Sequence, residues 1–118
     1  MTAPAWRAAS TLLIKAWPVA LDTQRGLDHG AWVPLRHLLP GAEVPVFQVS
    51  MPHDLDTAGA LRLGQALAPL RAQGVLVVGS GSMTHNLYEF RQAHGAAADY
   101  ALEFTHWIRQ AVAANATD

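Results

Sequence analysis

The residues best suited to chemistry form one run, Gly79-Ser80-Gly81-Ser82-Met83-Thr84-His85-Asn86-Leu87, directly behind the apolar Val75-Leu76-Val77-Val78. An imidazole accepts and returns a proton near neutral pH without a large pKa shift, so His85 suits a general acid or base. Glycines let backbone approach a ligand closely, and amides exposed there can stabilise an anionic oxygen. Gly81, Ser82, Thr84 and Asn86 are the candidate substrate contacts around His85. A plainer reading stands beside this one: Gly79 and Gly81 serve a tight turn, and His85 caps neighbouring structure.

Other histidines are weighed in the same way. His29 lies between Asp28 and Gly30, and Asp28 can either orient its imidazole or cap a helix. His53, in Met51-Pro52-His53-Asp54, is a substrate contact or a solvated loop residue. Trp32 can line a pocket for an aromatic ring or fill a core. His37 and His94 have the context of surface or helix-end residues, and His106 beside Trp107 reads as structural. No His-x-x-x-His pair suggests a metal site within the chain, so no metal ligand is assigned. The glycine run lacks the third glycine of a dinucleotide loop and the lysine of a triphosphate loop. It also misses the Gly-x-Ser-x-Gly pattern of a serine nucleophile elbow.

The elements that must carry these residues follow from periodicity. Residues 4–16 form an alanine-rich helix, followed by a short extended stretch over 17–21. A short or broken helix covers 29–39, with Asp28 as N-cap and Pro34 at the cost of a kink. Residues 44–50 read as a strand, with Pro45 tolerated near its start. Asp56 or Thr57 caps a helix running to about Arg71, where Pro69 warns of an irregular last turn. Residues 75–78 form the central strand, 86–91 stay undecided, and 99–114 are a helix carrying Leu102, Trp107, Ile108 and Ala111. This alternation predicts an α/β fold, a layered α/β/α arrangement on a small, mostly parallel sheet. Parallel strands would set 50–54 and 79–86 on one rim, where His29, His53 and His85 could converge.

The bulk composition narrows the function classes. At 118 residues and net charge −1, the chain is one domain without the basic field that nucleic acid or anionic lipid would need. With no cysteine, disulfides, thiolate nucleophiles and zinc-thiolate sites are excluded. No apolar run nears the roughly 20 residues of a membrane span, and the first residues do not read as a secretory signal. The expectation is a cytoplasmic protein.

Three blocks in order carry a resemblance: Arg25-Gly26-Leu27-Asp28-His29-Gly30-Ala31-Trp32, then Pro45-Val46-Phe47-Gln48-Val49-Ser50, then Gly74-Val75-Leu76-Val77-Val78-Gly79-Ser80-Gly81 with His85-Asn86-Leu87. They resemble the class III extradiol ring-cleavage dioxygenases, and within them the branch similar to DOPA 4,5-dioxygenase. The resemblance implies insertion of both atoms of dioxygen into a catechol beside its paired hydroxyls, with non-haem iron(II), or zinc in that position in some members. It implies that His85 is the acid/base histidine and that His29 is a second catalytic histidine touching substrate or oxygen.

The family's iron ligands lie in N-terminal histidine blocks and in a segment near the C terminus, none of which occurs here. Residues 1–118 are therefore expected to be a partial catalytic domain, an incomplete version of the family fold. They would carry the acid/base residues without the iron cradle, bind iron negligibly, and by themselves leave catechols unoxidised. Uncovered apolar faces would favour self-association or pairing with the missing segments. Two rival functions remain open: a metal-independent histidine hydrolase or isomerase, and a non-catalytic interaction domain.

Overall fold

The computed structural model describes residues 4–92 and 97–115, which belong to two compact units, Met1–Ser80 and Gly81–Asp118. In the first unit, α1 (Ala5–Leu13) packs against α3 (Thr57–Leu67) and against the 3₁₀ helix Ala68–Gln73 that continues α3. Ala9 and Leu13 on α1 sit on one helical stripe, and Leu67 of α3 and Leu70 of the 3₁₀ helix form the facing one. These four residues are the buried core. Trp17, Val19, Leu63, Phe47, Val49 and Val75 pack around them half-covered.

Helix ends follow local chemistry. Asp56 caps α3, its Oδ1 accepting the Gly59 N–H at 2.6 Å. The helix expected to reach Arg71 stays α-helical only to Leu67. Pro69 has no N–H for the carbonyl of Gln65, so the chain tightens into 3₁₀ geometry, and the Gln65 carbonyl accepts from Ala68 instead. Gly74 ends the turn at φ +75°, a left-handed conformation that glycine adopts without strain.

Helix α2 (His29–Leu38) starts at the expected cap, Asp28, and runs through Pro34 without stopping there. Pro34 cannot donate to the carbonyl of Gly30, four residues back. That carbonyl instead accepts the hydroxyl of Ser80, so a distant side chain replaces the lost helical bond. Arg36 lies in the last turn, where positive charge suits the helix dipole.

The expected sheet is not confirmed here. Among the described residues there is no strand. Residues 44–50 and 75–80 lack regular helical or strand hydrogen bonding. A strand satisfies its backbone only through a second strand about 4.8 Å away, whereas a helix satisfies its own. The apolar run 75–78 would be covered on both faces in a parallel sheet. Here Leu76 is 84% exposed, and Val77 and Val78 are exposed as well.

The second unit contains α4 (Leu87–Gln92), which resolves the undecided stretch 86–91, and α5 (Asp99–Ala113), close to its expected bounds. On α5 the half-covered positions are Ala101, Thr105, Ile108 and Ala111, while Leu102 and Trp107 point outward. The apolar stripe expected there therefore holds only in part. His94 lies outside the described residues. No helix among the described residues is long and apolar enough to cross a membrane.

Candidate functional site

The first unit places His29 at the first position of α2, one turn from Trp32, with both side chains exposed. At i, i+3 spacing the two share a helix face. Asp28 fills the capping role that the sequence offered as one of two readings: its Oδ1 accepts the Ala31 N–H at 3.2 Å. Its other oxygen, Oδ2, accepts from Gln48 Nε2 at 2.8 Å, and the Asp28 N–H donates to Gln48 Oε1 at 3.1 Å. Gly30 leaves room for this carboxylate, since a Cβ there would stand 3.3 Å from Asp28 Oδ1. Upstream, Asp22 Oδ1 accepts from the amides of Arg25 and Gln24 at 3.0 and 2.9 Å. Those bonds hold its carboxyl below the ordinary value.

His53 stands exposed in the turn after residues 44–50. Ser80 closes the unit with its hydroxyl given to the Gly30 carbonyl. A serine committed as donor to a carbonyl is not the one a general base would hold as nucleophile.

The second unit holds the rest. Gly81, Ser82, Thr84 and His85 are exposed, and His85 immediately precedes Asn86 at the start of α4. Asn86 Oδ1 accepts the Glu89 N–H at 3.2 Å and so caps that helix. Glu89 in turn accepts the Tyr100 hydroxyl at 2.6 Å, joining α4 to the first turn of α5. The neighbouring carboxylate raises the Tyr100 phenol above its ordinary value, against a smaller opposing pull from Asn86. Each candidate catalytic histidine thus adjoins a capping residue, His29 just after Asp28 and His85 just before Asn86.

Gly74 is the one glycine with positive φ among the described residues, and a Cβ on Gly79 or Gly81 would meet nothing within 4 Å. Neither position needs glycine for the conformation it adopts.

Among the described residues no group of three His, Cys, Asp or Glu side chains could hold a metal ion, so they do not by themselves fit an iron site. An open hollow of about 430 Å³ lies along Arg71, Gly74, Val75, Leu76 and Val77. It contains none of the candidate residues.

Sequence reasoning missed both Gln48 and the bond that Ser80 makes to the Gly30 carbonyl. The one available signal for Gln48 was a lone carboxamide inside the apolar stretch Val46-Phe47-Gln48-Val49. For Ser80 it was a proline in a helix, which leaves a carbonyl in search of a donor.

Residues 5–116 match the family described as the catalytic LigB subunit of aromatic ring-opening dioxygenase, and the chain belongs to that family. The family's domain is an α/β fold. Among curated proteins, the chain is 46% identical over 94 residues to a 4,5-DOPA dioxygenase extradiol of Beta vulgaris, covering 80% of this chain and 35% of the relative. It is 40% identical to that of Portulaca grandiflora, with 78% and 34% covered. It is 34% identical to that of Escherichia coli (strain K12), with 82% and 36% covered. The chain thus spans about a third of the length of these relatives. No solved structure matches it significantly.

Proposed function

We propose that this chain carries the proton-transfer side of an extradiol ring cleavage, with a catechol and dioxygen as substrates. The observation that carries the reading is the setting of His85. It is exposed at the entry to α4, on a run whose Gly79 and Gly81 are surrounded by open space. Glycines without a conformational need fit a loop that backbone and substrate share closely.

In this reading His85 takes the proton of a catechol hydroxyl and returns it as the ring opens, and His29, at the start of α2, has the role the family resemblance gives it, a contact with substrate or oxygen. Trp32, one turn along, offers an aromatic surface to the ring. Gly81, Ser82, Thr84 and Asn86, around His85, contact the substrate's polar edge, and His53 is assigned a substrate contact of its own. Both atoms of dioxygen enter the product, and the carbon–carbon bond beside the paired hydroxyls breaks. We assign the iron to polypeptide other than the described residues, because these offer no three ligands together. The unpaired segments 44–50 and 75–78 would then join a sheet with that same polypeptide, as the family's α/β fold requires.

The test uses 4-nitrocatechol, whose visible absorption moves to longer wavelength on loss of a proton. Bound to the full chain at a pH below the first pKa of the free compound, it should show the ionised spectrum, and His85→Gln should return it to the neutral one. An unchanged spectrum in His85→Gln removes the assignment. Stoichiometric iron(II) binding with oxygen uptake by the chain alone would overturn the placement of the iron.

A further inference from the structure

We propose that Gln48 is a positioning residue for His29, acting through a two-point clip on Asp28. The proposal rests on His29 being a substrate contact. Successive side chains of an extended backbone leave on opposite sides. Phe47 and Val49 pack against the buried core, so Gln48 between them is turned the other way and meets the start of α2. Its carboxamide makes two bonds to one residue, Oε1 accepting the Asp28 N–H at 3.1 Å and Nε2 donating to Asp28 Oδ2 at 2.8 Å.

This orientation of the amide is the single workable one. Turned over, its nitrogen would face an N–H and its oxygen a carboxylate. With Oδ2 held by Gln48, Oδ1 is left to cap Ala31 at 3.2 Å. Asp28 is therefore fixed at its backbone N–H and at both carboxylate oxygens, and His29 is the next residue. Gln48 and Asp28 are half-buried, which protects these bonds from competition by water. The core formed by α1 and α3 is thereby coupled through 47–49 to the imidazole on α2. His29 itself makes no side-chain hydrogen bond among those described, so its placement depends on the backbone beneath it.

The donor–acceptor pattern allows a decisive exchange. Gln48→Glu sets an acceptor against the Asp28 carboxylate and breaks the clip. Adding Asp28→Asn restores it with the polarity reversed: the introduced amide donates to the introduced carboxylate, while its oxygen still caps Ala31. Gln48→Met keeps length and bulk and removes both polar atoms.

The experiment measures amide hydrogen exchange and 4-nitrocatechol affinity in the full chain. The Ala31 N–H is shared between the Asp28 carboxylate at 3.2 Å and the Asp28 carbonyl at 3.0 Å, so protection at Ala31 should fall about threefold in Gln48→Met and in Gln48→Glu, part of the worth of one ordinary net hydrogen bond. Affinity should weaken about threefold to tenfold with it. The Asp28→Asn/Gln48→Glu pair should recover both to within about twofold, and the amide of Leu67 in α3 should not change. Unchanged protection at Ala31 overturns the proposal, as does a pair no better than Gln48→Glu, or a fall spread equally to Leu67. If His29→Ala leaves 4-nitrocatechol affinity unaltered, the substrate role of His29 fails, while exchange at Ala31 still decides the clip.

Discussion

Leu70 and Leu76 are the same residue six positions apart, and the structure gives them opposite roles. Leu70 is 1% exposed, packed among Ala9, Leu13 and Leu67, whereas Leu76 is 84% exposed. Truncating a buried leucine to alanine removes its transfer free energy and leaves a cavity, together about 2–5 kcal/mol. The residues around Leu70's immediate neighbours are only half-covered, so the site can partly collapse, and Leu70→Ala should cost about 2–3 kcal/mol. That is a large share of the roughly 5–15 kcal/mol that holds a domain folded. For a unit of this size it lowers Tm by roughly 10–20 °C. Leu76→Ala should stay within about 0.5 kcal/mol of the parent chain. Urea unfolding followed by far-ultraviolet circular dichroism reads both, as a lower midpoint at unchanged slope for Leu70→Ala. A loss under about 1 kcal/mol at Leu70 refutes the assignment of the core. An equal loss at both positions refutes the exposure of 75–78, and means that this run is covered in solution as a sheet would cover it.

Two further outcomes follow from the hydrogen bonding. Ser80→Ala should cost about 0.5–1 kcal/mol, the net worth of an exposed bond to the Gly30 carbonyl that Pro34 cannot satisfy and that water then takes over. In a Pro34→Ala background, where a backbone N–H is restored, the same change should cost about half as much or less; a double-mutant cycle by urea unfolding with no coupling removes the latch. The Tyr100 phenol, raised by Glu89, should titrate below its present value in Glu89→Gln, followed by phenolate absorbance. The raised folded pKa favours the neutral phenol, so the link between α4 and α5 is fully present below the ordinary tyrosine value of about 10. It is lost as pH rises through the folded value, and an unmoved titration in Glu89→Gln counts against the link.

The sequence by itself determined the family and the beginnings and ends of helices. Asp28 and Asp56 cap α2 and α3, Gly74 closes the 3₁₀ turn, and α5 lies close to where its pattern set it. Such features are legible because a helix satisfies its backbone within a few residues, and a cap reaches only three residues along. The tertiary structure alone decided what needs a distant partner. The Gln48 clip joins residues 20 apart, and the Ser80 bond joins residues 50 apart; neither is a spacing that a local pattern encodes. Strand pairing is of the same kind. The runs 44–50 and 75–78 carry strand composition, but composition supplies no neighbour for their N–H and C=O groups, and the described residues supply none either. His29 and His85 could be named from residue type alone. What holds the turn beneath His29 could be seen only once Asp28, Gln48 and the packed core stood together in space.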